Sequence, residues 1–122
     1  MKKTIFYEGR NHKVFLVKAF GAIYLVIVVE RRYSNDGLCL LAISCEDIGD
    51  GYLEPADPFG IMTVNLGTAS KLCAFVKNYE ENEGWAEALA KAIGGKDTGL
   101  KDIAGDNEIP FYDFSQMSIY AD

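Results

Sequence analysis

The chain has 122 residues, the size of one domain, and size scaling lets it bury about two-thirds of its unfolded surface without disulfide or metal support. Apolar residues at 49% and charged residues at 25% exclude disordered and low-complexity classes, and the net charge of −6 argues against nonspecific binding of nucleic acid or anionic membrane by the whole surface. Residues 1–122 are read as a single domain.

In chain order, Thr4 to Tyr7 is short, β-branched and aromatic, and predicts a first strand. Glu8 to Lys13 follows as a polar turn carrying the single histidine, His12. Ile23 to Val29 has Val or Ile at five of seven positions, with both faces apolar, and predicts a central strand covered on two sides. Asn35-Asp36-Gly37 is a hairpin signal, because Asn, Asp and Gly accept the positive φ of a tight turn, and Leu38 to Cys45 is the returning strand. Glu46 to Pro58, rich in Gly, Pro and acids, predicts a surface loop. Phe59 to Leu66 alternates as a half-buried strand, and Leu72 to Val76 is a further short one.

From Glu83 to Ile93 the period changes to that of a helix. Trp85, Ala88, Leu89, Ala92 and Ile93 form its stripe, Glu87 and Lys91 an i,i+4 pair, Asn82 the cap and Gly94-Gly95 the stop. Gly94 to Asn107 is linker-like, Ile109 to Phe114 a last strand, and Ser115 the cap of a C-terminal turn reaching Tyr120. The expected fold class is α+β: a mainly antiparallel sheet with one substantial helix packed on it and a short C-terminal helical turn.

Charge is unevenly spread. Residues 1–33 carry seven basic and two acidic side chains, residues 34–70 six acids and no base, and residues 71–122 five bases and ten acids. Either the fold brings these stretches together to neutralise one another, or the basic first third faces a groove. The longest apolar run, Ala19 to Val29, is too short for a transmembrane helix, and Glu8 to Lys13 interrupts any signal-peptide core, so the expected address is the cytoplasm. Cys39, Cys45 and Cys73 are odd in number and outside CxxC spacing, and are read as reduced thiols.

Catalytic chemistry finds little to stand on. His12 is read as an exposed turn residue, no Ser sits in a GxSxG elbow, and no Cys stands near a second His. The loop Glu46 to Glu54 resembles a calcium loop only in part, since Ile48 at the third position supplies no oxygen. A Cys3His zinc set lacks close ligand pairs. No cofactor, metal or catalytic residue is expected. The candidate binding residues are the loop acids Asp47, Asp50 and Glu54 and the loop-adjacent aromatics Tyr52, Phe59 and Tyr79, because acids without compensating bases attract a basic partner and aromatics are enriched at binding surfaces.

Pro58-Phe59-Gly60-Ile61-Met62-Thr63-Val64-Asn65-Leu66, then Cys73-Ala74-Phe75-Val76 and the Asn82 to Ile93 segment, resemble a family of small proteins, a domain of unknown function, from conjugative transposons and phage-like elements of Gram-positive gut bacteria. The likeness covers about Leu38 to Tyr120 and departs from the family in the long Gly49 to Pro58 loop and an Ala-richer helix. It implies an accessory role in a mobile element and supplies no catalytic residue. The expectation is a noncatalytic protein that binds another protein, with no direct contact to nucleic acid or membrane. The alternatives are an acidic DNA mimic that blocks a DNA-binding enzyme, and a small carboxylate-dependent enzyme.

Overall fold

A computed structural model describes residues 3–49, 52–67 and 70–122. Ten strands run β1 (Thr4–Tyr7), β2 (Arg10–Lys13), β3 (Phe15–Ala19), β4 (Ala22–Arg32), β5 (Leu38–Gly49), β6 (Tyr52–Ile61), β7 (Thr63–Val64), β8 (Cys73–Val76), β9 (Lys96–Ala104) and β10 (Asn107–Asp113). A 3-10 turn (Glu80–Asn82) and one helix, α1 (Ala86–Ala92), lie between β8 and β9. All pairing is antiparallel, in the orders β1-β2, β3-β4-β5-β6 and β7-β8-β10-β9.

The β3-to-β6 sheet is the middle layer. Alternation along β4 sends Val26 and Val28 to one face and Ile27 and Val29 to the other. The first pair joins the main core with Leu38, Leu40 and Ala42 of β5, Tyr112 of β10 and Leu89 of α1. The second joins Ile5 and Ile43 in a smaller core under the β1–β2 hairpin. The strand expected to be covered on both sides is covered on both sides.

The α+β expectation is corrected. Strands hold 59% of the described residues and helix only 9%, so the domain is predominantly antiparallel β, and its one α-helix has seven residues. Residues 83–85, with Gly84 at φ 86°, form a turn in place of the first part of the expected helix, so α1 begins only at Ala86. The buried stripe is Trp85, Ala86, Leu89, Ala90 and Ile93, while Ala88 and Ala92 face solvent. Alanine on both flanks made the two stripes alike in sequence, and the fit of Leu89 and Trp85 against β3 and β6 chose between them. Asn82 does not cap the helix: it is buried and its amide donates to the Ile61 carbonyl at 2.7 Å. The stop is as expected. Gly94 sits at φ 100°, Gly95 N–H donates to Ala90 and Gly94 N–H to Lys91, which is a Schellman closure.

The C-terminal helical turn is also absent. Ser115 and Gln116 form a single turn closed by the Met117 N–H on the Phe114 carbonyl, and the chain then runs to a bridge between Tyr120 and His12, with Lys13 N–H donating to Ile119 and Ala121 N–H to Asn11. The linker-like stretch after Gly95 is β9, held by β10 although all nine of its residues are exposed. Apart from residues 50 and 51, which lie outside the described residues, the expected loop from Glu46 to Pro58 is instead strand, in the outer parts of β5 and β6.

The β4–β5 hairpin closes at Arg32 opposite Leu38. Its connection is the five residues 33–37, with Asp36 at φ 67° and Asn35 Oδ1 accepting the Gly37 N–H. Two-residue turns with both φ positive fall elsewhere, at Glu8-Gly9 (50° and 81°) and Phe20-Gly21 (53° and 74°).

Candidate protein-binding surfaces

Of the candidate binding residues, Asp50 lies outside the described residues, and the other five fall in three places. Asp47, Tyr52 and Glu54 share the outer β5–β6 hairpin, where Glu46 stands opposite Glu54, Asp47 opposite Leu53 and Gly49 opposite Tyr52. Asp47 Oδ1 accepts the Gly49 N–H at 2.8 Å, tightening the strand end. Tyr52 is 69% exposed, and Ile48 beside it is exposed too. Like charges placed directly opposite on a sheet oppose pairing, and none of the ion pairs among the described residues involves Glu46, Asp47, Glu54 or Asp57.

Phe59 sits further along β6 and turns inward. Its ring lies 4.9 Å from Tyr24 and 4.8 Å from Trp85, with Phe20 at 6.1 Å, so it builds an aromatic junction between β3–β4 and α1. Trp85 Nε1–H donates to the Glu81 carbonyl at 2.9 Å, and the indole lies flush on Gly60.

Tyr79 lines a groove of about 330 Å³ with both apolar and polar neighbours, among them Tyr33, Ile61, Thr63, Val64 and Lys77. There the Tyr33 hydroxyl and Thr63 Oγ1 share a hydrogen bond at 2.9 Å, and burial pushes the Tyr33 phenol up to about 12. Lys77 donates to Glu81 at 2.6 Å, which raises the ammonium above its usual range and lowers the carboxyl below its own.

His12 is not an exposed turn residue. The turn ends at Gly9, and His12 is a buried member of β2. Nδ1 is 3.2 Å from the Val28 carbonyl oxygen and Nε2 3.1 Å from that of Tyr7, with Tyr7 and Tyr120 edge-on to the ring. Both ring nitrogens thus lie at hydrogen-bond distance from main-chain carbonyls, and the side chain is buried. No cluster of His, Cys, Asp and Glu among the described residues has metal-binding geometry.

A surface outside the candidate set lies at the other edge of the middle sheet. Val14, Phe15, Leu16 and Leu25 floor a groove of about 590 Å³, with Lys3 and Lys13 on its rim. Two of the seven bases of the first third, Lys3 and Lys13, thus line a groove, while Arg10, Arg31 and Arg32 pair with Asp122, Glu8 and Glu30. The charge excess pointed to it, while the apolar floor, made by pairing Leu16 with Leu25 across β3–β4, needed the register.

Among the described residues no helix is long and apolar enough to cross a membrane. No family model, curated protein or solved structure matches the chain.

Proposed function

We propose that this domain is a noncatalytic accessory module that binds another protein, using the outer β5–β6 hairpin against a basic surface. The observation that carries the reading is Glu46 facing Glu54 across an exposed hairpin, with Asp47 adjacent and no cation of the chain nearby in the described ion pairs. A cross-strand like-charge pair costs a few tenths of a kcal/mol to about 1 kcal/mol, and Lys or Arg of a partner would reverse the sign of that contribution. Ile48 and Tyr52 add apolar area beside the acids, the mixture common at interfaces. The engagement of both His12 nitrogens supports the noncatalytic part. The place in a mobile element rests on the resemblance of Pro58 to Leu66 and the segments after it. Three unpaired thiols suit the reducing cytoplasm.

The test is capture on the immobilised full chain from a host lysate, with Glu46→Gln/Asp47→Asn/Glu54→Gln in parallel, as salt rises from about 0.05 to about 0.5 M. The reading expects a basic protein retained by the parent at low salt, lost with salt or with the variant, and indifferent to added DNA. Equal capture by parent and variant would overturn it, and displacement by DNA would move the reading to the DNA mimic.

A further inference from the structure

Each outer strand of this domain except one carries a device against pairing with another chain. β6 holds Pro55 and Pro58 and three register irregularities against β5. β9 bears Lys96, Asp97, Lys101 and Asp102, has Gly99 at φ 84° and faces a bulge in β10. β7 is two residues long, β1 is four residues long and packs beside β6, and the outer side of β2 is taken by the tail through Ile119 and Ala121.

β3 differs. It pairs without interruption from Phe15 opposite Val26 to Ala19 opposite Ala22, contains no Pro and no bulge, and among the described residues has β4 as its only strand partner. Alternate N–H and C=O groups of such a strand point outward. Leu16 is 71% exposed, and Ile23 on the adjoining strand 64%.

Two grooves flank this edge. One is the basic-rimmed groove of about 590 Å³, and the other, of about 370 Å³, lies between β3 and α1 and is lined by Leu16, Val17, Trp85 and Leu89. Successive side chains of an added strand would enter the two alternately. Lys3, Lys13 and Lys18 surround the edge, and none belongs to an ion pair among the described residues.

We propose that β3 accepts an extended segment of another protein as a fifth strand of the middle sheet, with alternating apolar side chains in the two grooves and Asp or Glu against the three lysines. This goes beyond the acidic hairpin, which seeks a basic surface; the two sites take opposite chemistries.

The test is selection of a displayed library of random twelve-residue peptides on the full chain, followed by titration of a synthetic peptide of the enriched sequence. The expected sequences alternate apolar residues and carry more Asp and Glu than the library. Affinity falls tenfold or more for Leu16→Asp and separately for Lys3→Glu/Lys18→Glu, both at exposed positions. It is unchanged for Glu46→Gln/Asp47→Asn/Glu54→Gln, and amide exchange within Phe15–Ala19 slows on binding. Failure of any peptide to enrich, enrichment without the pattern, or binding indifferent to both β3-edge variants would overturn the proposal. So would a concentration-dependent dimer abolished by Leu16→Asp, which would give the edge to a second copy of the chain.

Discussion

Replacing Gly60 by Ala places a methyl group where the Trp85 indole already lies. A Cβ at Gly60 would stand 2.8 Å from Trp85 Cζ2 and 3.0 Å from Cη2, against about 3.5 to 4.0 Å for comfortable carbon contact. The ring cannot swing away freely: it is 2% exposed, held by its N–H on Glu81 and edge-on to Phe59. Overpacking of this kind costs about 1 to 3 kcal/mol, partly offset by about 0.5 to 1 kcal/mol because Ala restricts the unfolded chain more than Gly. The net expectation is a loss of about 1 to 2 kcal/mol, or roughly 4 to 8 °C in Tm for a domain of this size. Urea unfolding followed by fluorescence is a direct assay, since Trp85 is the sole tryptophan. Adding Trp85→Phe, which removes that probe, should relieve part of the cost, giving a coupling of about 1 kcal/mol in a double-mutant cycle whose four members are followed by circular dichroism. An unchanged or raised midpoint for Gly60→Ala, or strict additivity with Trp85→Phe, would refute the close packing of indole on glycine.

Phe20 holds φ 53° while 67% exposed, so Phe20→Asn should raise the urea midpoint by the equivalent of about 1 kcal/mol, and a lower midpoint would show that its ring contacts outweigh the strain. Burial pushes the Cys45 thiol up to about 11, so at pH 8 its alkylation by iodoacetamide, followed by mass spectrometry, should be far slower than in urea; equal rates would count against it. Burial also raises the Tyr33 phenol from 10.0 to about 12. The unfolded chain therefore releases this proton first, so stability is full below pH 10 and falls as pH rises toward 12. Tyr33→Phe should flatten that decline in Tm, and an identical alkaline slope would remove Tyr33 from the account.

What sequence could show here follows from where the information sits. Ile23 to Val29 declared itself because β-branched residues on both faces have one economical use, a strand covered on two sides. The β5–β6 hairpin hid because Pro55, Pro58 and the acids are loop signals, yet β6 is an outer strand, where a missing N–H costs nothing on the solvent side. β9 carries no apolar period at all and is a strand only because β10 pairs with it. His12 follows a turn sequence and reads as part of it, although the positive φ of Glu8 and Gly9 completes the reversal in two residues. Among the candidate site residues, the clustering of Asp47, Tyr52 and Glu54 was legible from their nearness in sequence. The separation of Phe59 and Tyr79 was not, because it depends on which side of β6 faces the helix and on how the second sheet folds back.

The junction of the tail with β2 has a bearing on the order in which this molecule assembles. Arg10 lies 3.5 Å over the Tyr120 ring and donates to Asp122, whose other oxygen accepts the Asn11 N–H, across a separation of more than one hundred residues. Contacts so distant along the chain carry the largest loop-closure entropy and belong late in folding. The basic groove is lined from both sides of that junction, by Lys3 and Lys13 and by Ala121. The groove is therefore complete only once the segment around Ala121 has paired with β2, and it forms as late as that pairing does.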